Sequence, residues 1–105
     1  MCLKTSPTCT TLHVDNSGLS DANLYLNGGR FGFVGGMTKA TIFLPEWRLG
    51  ADRCVSIFIR LNPIGLRMQA DRFQTTRECI GKGGSFDLHI NPMLKVSTLT
   101  PRVSR

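Results

Sequence analysis

The sequence predicts an all-β fold, an antiparallel β-sandwich of about seven or eight short strands. Three observations lead there. Apolar and polar residues alternate over short stretches, and those stretches are separated by turn formers, with eleven Gly and five Pro in 105 residues. No stretch carries the apolar stripe of an amphipathic helix. One domain suits this length, and a hydrophobic fraction of 41% with 19% charged residues excludes wholesale disorder.

Met1 to Thr11 is Thr-rich, contains Pro7 and lacks periodicity, so it reads as an extended arm. Alternation then begins. Leu12 and Val14 face one way, Thr11 and His13 the other, and Asp15-Asn16-Ser17-Gly18 reads as a turn rich in side-chain acceptors. Ala22, Leu24 and Leu26 form the inward set of the next strand. Asn27-Gly28 after it is a strong hairpin signal, because both central positions of a type I′ turn need positive φ, so Asp21 to Leu26 should pair antiparallel with Arg30 to Val34.

Gly35-Gly36 turns the chain again, and Ala40 to Leu44 forms a strand that stops at Pro45. Pro45 to Gly50 suits a single helical turn, with Trp47 plugging one end of the core. Cys54 to Leu61 is the most hydrophobic strand and should be central, with Val55, Ile57, Ile59 and Leu61 on one face. Asn62-Pro63-Ile64-Gly65 is a turn, and Leu66 to Thr76 a weaker strand region. Gly81 to Gly84 turns into the alternating strand of Phe86, Leu88 and Ile90, Pro92 breaks it, and Leu94 to Leu99 supplies the last strand. The expected organisation is an arm over 1–11, a sandwich over 12–100 and a basic tail over 101–105.

Taken together, Val14-x-Asn16, Asp21-x-Asn23-Leu24-Tyr25-Leu26, the Gly-rich hairpin, Phe43-Leu44-Pro45, Gly50, Asn62-Pro63-Ile64-Gly65 and Phe86-x-Leu88-x-Ile90 resemble a group of small uncharacterised bacterial cell-envelope proteins, often lipoproteins. The resemblance covers about Thr10 to Leu99. It implies an immunoglobulin-like sandwich and no enzymatic activity.

Chemistry is not written in any motif. The glycine pairs lack the Lys-Ser/Thr and following helix of a phosphate loop, and no G-x-S-x-G elbow exists. His13 and His89 alternate with core residues and face outward, with no His, Asp or Glu at ligand spacing, so neither a metal nor a cofactor is expected. The dispersed carboxylates form no acid/base pair, which leaves a small hydrolase without machinery. Gly29-Arg30-Phe31-Gly32-Phe33-Val34 is close to the aromatic strand of an RNA-recognition domain, where Phe31 and Phe33 would stack on bases. Arg30 stands where that motif has glycine, however, and the segment 17–29 is too short to hold the helix such a fold needs.

Thirteen Lys and Arg against seven Asp and Glu give a net charge of +6, which favours anionic partners. The basic residues are scattered singly, unlike a nucleic-acid tail or a polybasic membrane patch. No apolar run approaches the roughly 18 residues of a membrane-spanning helix. No secretory signal core is expected at the N-terminus either.

Four cysteines without a C-x-x-C pair favour disulfides over zinc or redox work. Cys54 opens the central strand and Cys79 follows the next strand region, which makes them the expected bridge, two buried thiols being the cytosolic alternative. Closing a loop of about 24 residues would stabilise by roughly 3 kcal/mol. Cys2 and Cys9 keep two readings: a bridge to each other, or a lipid-bearing Cys2 in a processed precursor, against which Met1 argues.

The expected function is a non-catalytic structural or accessory module. It would be a small subunit docking onto a larger extracytoplasmic (periplasmic or envelope-associated) or membrane-bound complex, for instance a respiratory or photosynthetic one, with no small-molecule substrate. Membrane contact would come through that protein partner or a lipidated Cys2. The alternative is RNA binding through Phe31 and Phe33. Partner contacts are expected on the arm and tail, at Leu3, Lys4, Pro7, Arg102 and Arg105, since extended segments bind by adding main-chain hydrogen bonds or wrapping a surface.

Overall fold

Period-2 burial in the computed structural model, which describes residues 9–45, 49, 52–62, 72–80 and 84–102, follows the alternation of the sequence most clearly over Leu12 to Asn16, Val55 to Leu61 and Phe86 to Ile90. The described residues form ten strands: β1 (Cys9–Asn16), β2 (Ala22–Leu26), β3 (Gly29–Val34), β4 (Thr38–Pro45), β5 (Cys54–Val55), β6 (Phe58–Leu61), β7 (Arg72–Gln74), β8 (Glu78–Cys79), β9 (Ser85–Ile90) and β10 (Thr98–Arg102). A short 3-10 turn, Leu94–Val96, precedes the last. One four-stranded sheet runs β10-β9-β1-β4, a second runs β3-β2-β6-β7, and β5 pairs with β8 alone.

The two larger sheets pack together over one apolar core. Leu12, Val14, Leu44, Phe86, Leu88, Ile90 and Leu99 come from the first sheet, and Ala22, Leu24, Leu26, Val34, Ile59 and Leu61 from the second. The fold is therefore all-β, with mostly antiparallel pairs.

The β2–β3 hairpin forms through Asn27-Gly28, with φ of 52° and 84°, the left-handed backbone that a type I′ turn requires. Elsewhere the structure departs from the sequence reading. The expected all-antiparallel pairing is broken, because β1 runs parallel to β9 in a register that sets His13 beside Asp87 and Asp15 beside His89. Alternation carries no information about strand direction. The expected Cys54 to Leu61 strand splits at Ser56-Ile57: β5 joins β8, while β6 lies between β2 and β7. Thr75 takes over at the break, accepting Ile57 N–H at 2.8 Å on its hydroxyl and the Ser56 hydroxyl at 2.6 Å on its carbonyl.

The last strand starts at Thr98 rather than Leu94, because Asn91 N–H donates to Ser97 Oγ at 2.9 Å and Met93 N–H to Asn91 Oδ1 at 2.9 Å, which folds 91–97 into a loop. At the boundaries, Cys9 to Thr11 of the expected arm pair with β4, and Pro101 and Arg102 of the expected tail pair with β9. Pro101 is tolerated there because β10 is an edge strand. The rest of the arm, Trp47 and most of its helical turn, the Pro63-Ile64-Gly65 turn, Gly81 to Gly83 and the tail beyond Arg102 lie outside the described residues.

At the end of the molecule where β5 and β8 meet, Cys54 stands opposite Cys79 and the two sulfurs are bonded. Their Cα atoms are 3.9 Å apart, nearer than in most bridges. Asp52 braces the same pair, accepting Cys54 N–H at 3.1 Å and the Arg77 guanidinium. The Arg77 hydrogen bond, aided by Cys54 N–H, lowers the Asp52 carboxyl below its ordinary 3.8. Being depressed, it contributes stability at higher pH that is lost as pH falls through the folded-state value.

Replacing both bridge cysteines with Ser should lower unfolding free energy by roughly 3 kcal/mol in urea titration. Recovery of Cys54 and Cys79 as alkylatable thiols from native, unreduced protein would contradict the bridge.

Candidate functional site

Asn16 was expected in a turn, but it closes β1 with its side chain in the interior, only 1% exposed. Its carboxamide nitrogen faces the carbonyls of Ser20 at 2.9 Å, Val34 at 3.3 Å and Gly35 at 3.2 Å, and its oxygen accepts Gly18 N–H at 3.1 Å. One side chain thus joins the β1–β2 loop to the β3–β4 turn. Backbone bonds complete the junction: Met37 N–H donates to the Gly18 carbonyl at 2.8 Å, and Gly36 N–H to Asp21 Oδ1 at 2.9 Å.

Contact here is close enough that a Cβ on Gly36 would sit 2.1 Å from the Leu19 carbonyl oxygen, so only glycine fits. A third segment joins through Ser17, whose N–H and hydroxyl both lie 3.0 Å from the Ile90 carbonyl, and through Gly18, where a Cβ would lie 3.6 Å from Pro92 Cα.

What this junction presents is apolar. Of the five exposed large hydrophobic residues described, Leu19 at 77% exposure and Met37 at 66% sit on the two joined loops, while Met93 at 59% and Val96 at 50% sit on the 91–97 loop that follows Ile90 at the same end. Met37 also holds a φ of 59°, a left-handed conformation unfavourable for a side chain of its kind. Each residue looks like an isolated apolar in a turn-rich stretch, which is ordinary on protein surfaces. Only the meeting of loops at one end brings them to the same side of the fold, so no local signal marks it.

The fifth, Phe33, is exposed on β3, whereas Phe31 is partly buried against the core.

The outward face of the first sheet carries the histidines. His13, Asp15, Lys39, Asp87, His89 and Arg102 are among the residues lining a shallow depression of about 520 Å³. Carboxylates do neighbour both histidines, against the sequence reading, because the parallel β1–β9 pair brings them from the far end of the chain. Among the described residues, no group of three His, Cys, Asp or Glu could hold a metal ion.

Ser17 Oγ lies 3.1 Å from His89 Nε2, and its hydroxyl donates to the Ile90 carbonyl at 3.0 Å. Asp87, the other β9 carboxylate, accepts both arms of Arg102, at 3.1 and 2.8 Å. In a Ser-His-Asp triad the imidazole is backed by a carboxylate, and no hydrogen bond joins His89 to one among the described residues. Of the expected partner contacts, Leu3, Lys4, Pro7 and Arg105 lie outside the described residues, as does the lipidation candidate Cys2, while Arg102 is engaged by Asp87.

Compared with protein-family models, curated proteins and solved structures, the chain finds no match. The reading of this site therefore rests on its geometry.

Asn16→Ala would leave three carbonyls and the Gly18 N–H without that partner in a buried setting, and should cost about 2–4 kcal/mol in urea unfolding. Asp21→Asn, at the exposed edge of the same junction, should cost less than about 1 kcal/mol. Equal effects would show that the buried carboxamide is not the tie.

Proposed function

We propose that this chain is a non-catalytic interaction module: an immunoglobulin-like β-sandwich that docks onto a larger extracytoplasmic or membrane-associated assembly. The observation that carries this reading is the gathering of Leu19, Met37, Met93 and Val96 on one end, on loops tied by a buried hydrogen-bond junction. Soluble domains mostly scatter exposed apolar side chains singly, and several at one end favour a contact surface. A left-handed Met37 adds to it, because backbone strain at an exposed apolar residue serves presentation rather than core packing.

Two further features support the reading. The Cys54–Cys79 bridge suits an oxidising compartment. The Ser17–His89 pair is open to water and lacks a bonded carboxylate among the described residues, which favours binding over catalysis. The docking surface moves, in this reading, from the arm and tail to the loop end.

A photo-crosslinking residue placed at Leu19, Met37 or Met93 should give covalent adducts with a cellular macromolecule or lipid in living cells. The same residue at Thr41, on the outward face of β4, should give none. Absence of adducts from all three loop positions would overturn the reading.

A further inference from the structure

We infer that Cys79 is a site of thiol–disulfide exchange in the folded protein, where a low-molecular-weight thiolate attacks its sulfur and Cys54 leaves. The docking reading is not needed for this, since the bridge stands at the other end of the molecule.

Exposure selects the sulfur. Exchange proceeds by attack of a thiolate on one sulfur of a bridge, and access helps decide which. Cys79 closes β8 and is exposed, whereas Cys54 opens β5 and is half-buried. Charge does not choose between them. Asp52 beside Cys54 is held by the Arg77 guanidinium, and Glu78 beside Cys79 accepts the Thr76 hydroxyl at 2.7 Å. An incoming thiolate therefore reaches Cys79 first.

Register makes the bond open to attack. Ile80 N–H donates to the Arg53 carbonyl at 3.1 Å, so Arg53 and Ile80 are a hydrogen-bonded pair and the adjacent Cys54 and Cys79 a non-hydrogen-bonded one. Cα atoms at such a position lie about 4.5 Å apart. Bridges most often span about 5.5–6 Å between Cα atoms, and those held away from their preferred geometry are the more readily reduced. A bridge that is also exposed belongs to the labile kind.

The fold lets the bridge open without unfolding. β5 and β8 pair only with each other, outside the two larger sheets that enclose most of the core. When the sulfur–sulfur bond breaks, the Arg53–Ile80 hydrogen bond and the Asp52–Arg77 pair still join the two segments. Cys54 also lines a depression of about 220 Å³ with Ser56, Gln74 and Arg77, which gives the departing sulfur room to turn.

The reaction has two steps. In the first, the thiolate bonds to Cys79 Sγ as the Cys54–Cys79 bond breaks, and Cys54 departs as a thiolate that takes a proton from water. In the second, another external thiolate attacks the sulfur attached to Cys79, which releases an external disulfide and leaves Cys79 as a thiol. The two electrons that reduce the bridge come from the two external thiols. Without the second step, the Cys54 thiolate attacks Cys79 again and restores the bridge, because the ladder holds the two opposite each other.

The test treats the full, folded chain with excess glutathione, quenches in acid at short times and maps the adducts by peptide mass. The earliest adducts should lie on Cys79 over Cys54 by about tenfold or more, and their rate should change by less than about twofold between 0 and 1 M urea. Exchange that requires global unfolding would instead quicken by about fivefold or more over that range, because unfolding exposes surface to the denaturant. Adducts shared equally or favouring Cys54, a rate that climbs with urea in that way, or no exchange under native conditions overturns the inference.

Discussion

The carboxamide of Asn16 couples the sheet to the loop end, since Asn16 is the last residue of a central strand and the first of the loop junction. The two hydrogens of its nitrogen are shared among three backbone carbonyls, of Ser20, Val34 and Gly35, and its oxygen accepts Gly18 N–H, at 1% exposure. The Ser20 and Val34 carbonyls and the Gly18 N–H would otherwise be buried without that partner, and an unsatisfied buried polar group costs about 1–3 kcal/mol. The position demands a side chain with both a donor and an acceptor at this reach, which Asp or Leu lacks. From this tie follow the close approach that only Gly36 admits, the left-handed Met37 beside it, and the shared exposure of Leu19 and Met37.

The opposite end is built on different chemistry. There the two-residue strands β5 and β8 have too little ladder to stand alone, and they are joined by a covalent bridge and braced by Asp52 with Arg77. Both charged side chains are more than half exposed, so the pair directs the backbone more than it stabilises it. Polar bracing at one end and an apolar presentation at the other give the domain a direction, and this polarity underlies the docking proposal.

How much of this the sequence shows depends on range. The β2–β3 hairpin is legible because Asn27-Gly28 carries its own backbone requirement. The inward sets Leu12/Val14, Ala22/Leu24/Leu26 and Phe86/Leu88/Ile90 are legible because burial follows alternation. The break at Ser56-Ile57 is hidden, since Val55, Ile57, Ile59 and Leu61 stay buried straight through it while the partner strand changes. The parallel β1–β9 pair is hidden for a related reason: it brings Asp87 to His13 and His89 to Asp15 across most of the chain, and a two-residue period is the same in either direction. The loop end is least legible. Asn16 reads as a turn residue from its neighbours Asp15, Ser17 and Gly18, and its burial is decided by Val34 and Gly35, which the local sequence does not reveal.

Native-state hydrogen exchange of two amides tests the central claim most directly. Gly18 N–H bonds to Asn16 Oδ1 and Met37 N–H to the Gly18 carbonyl, so both should exchange as slowly as amides of β1 and β9 although they lie in loops. Exchange of Gly18 and Met37 at the rate of an unstructured peptide, with the β1 and β9 amides still protected, would show that the loops are not tied and would contradict the account.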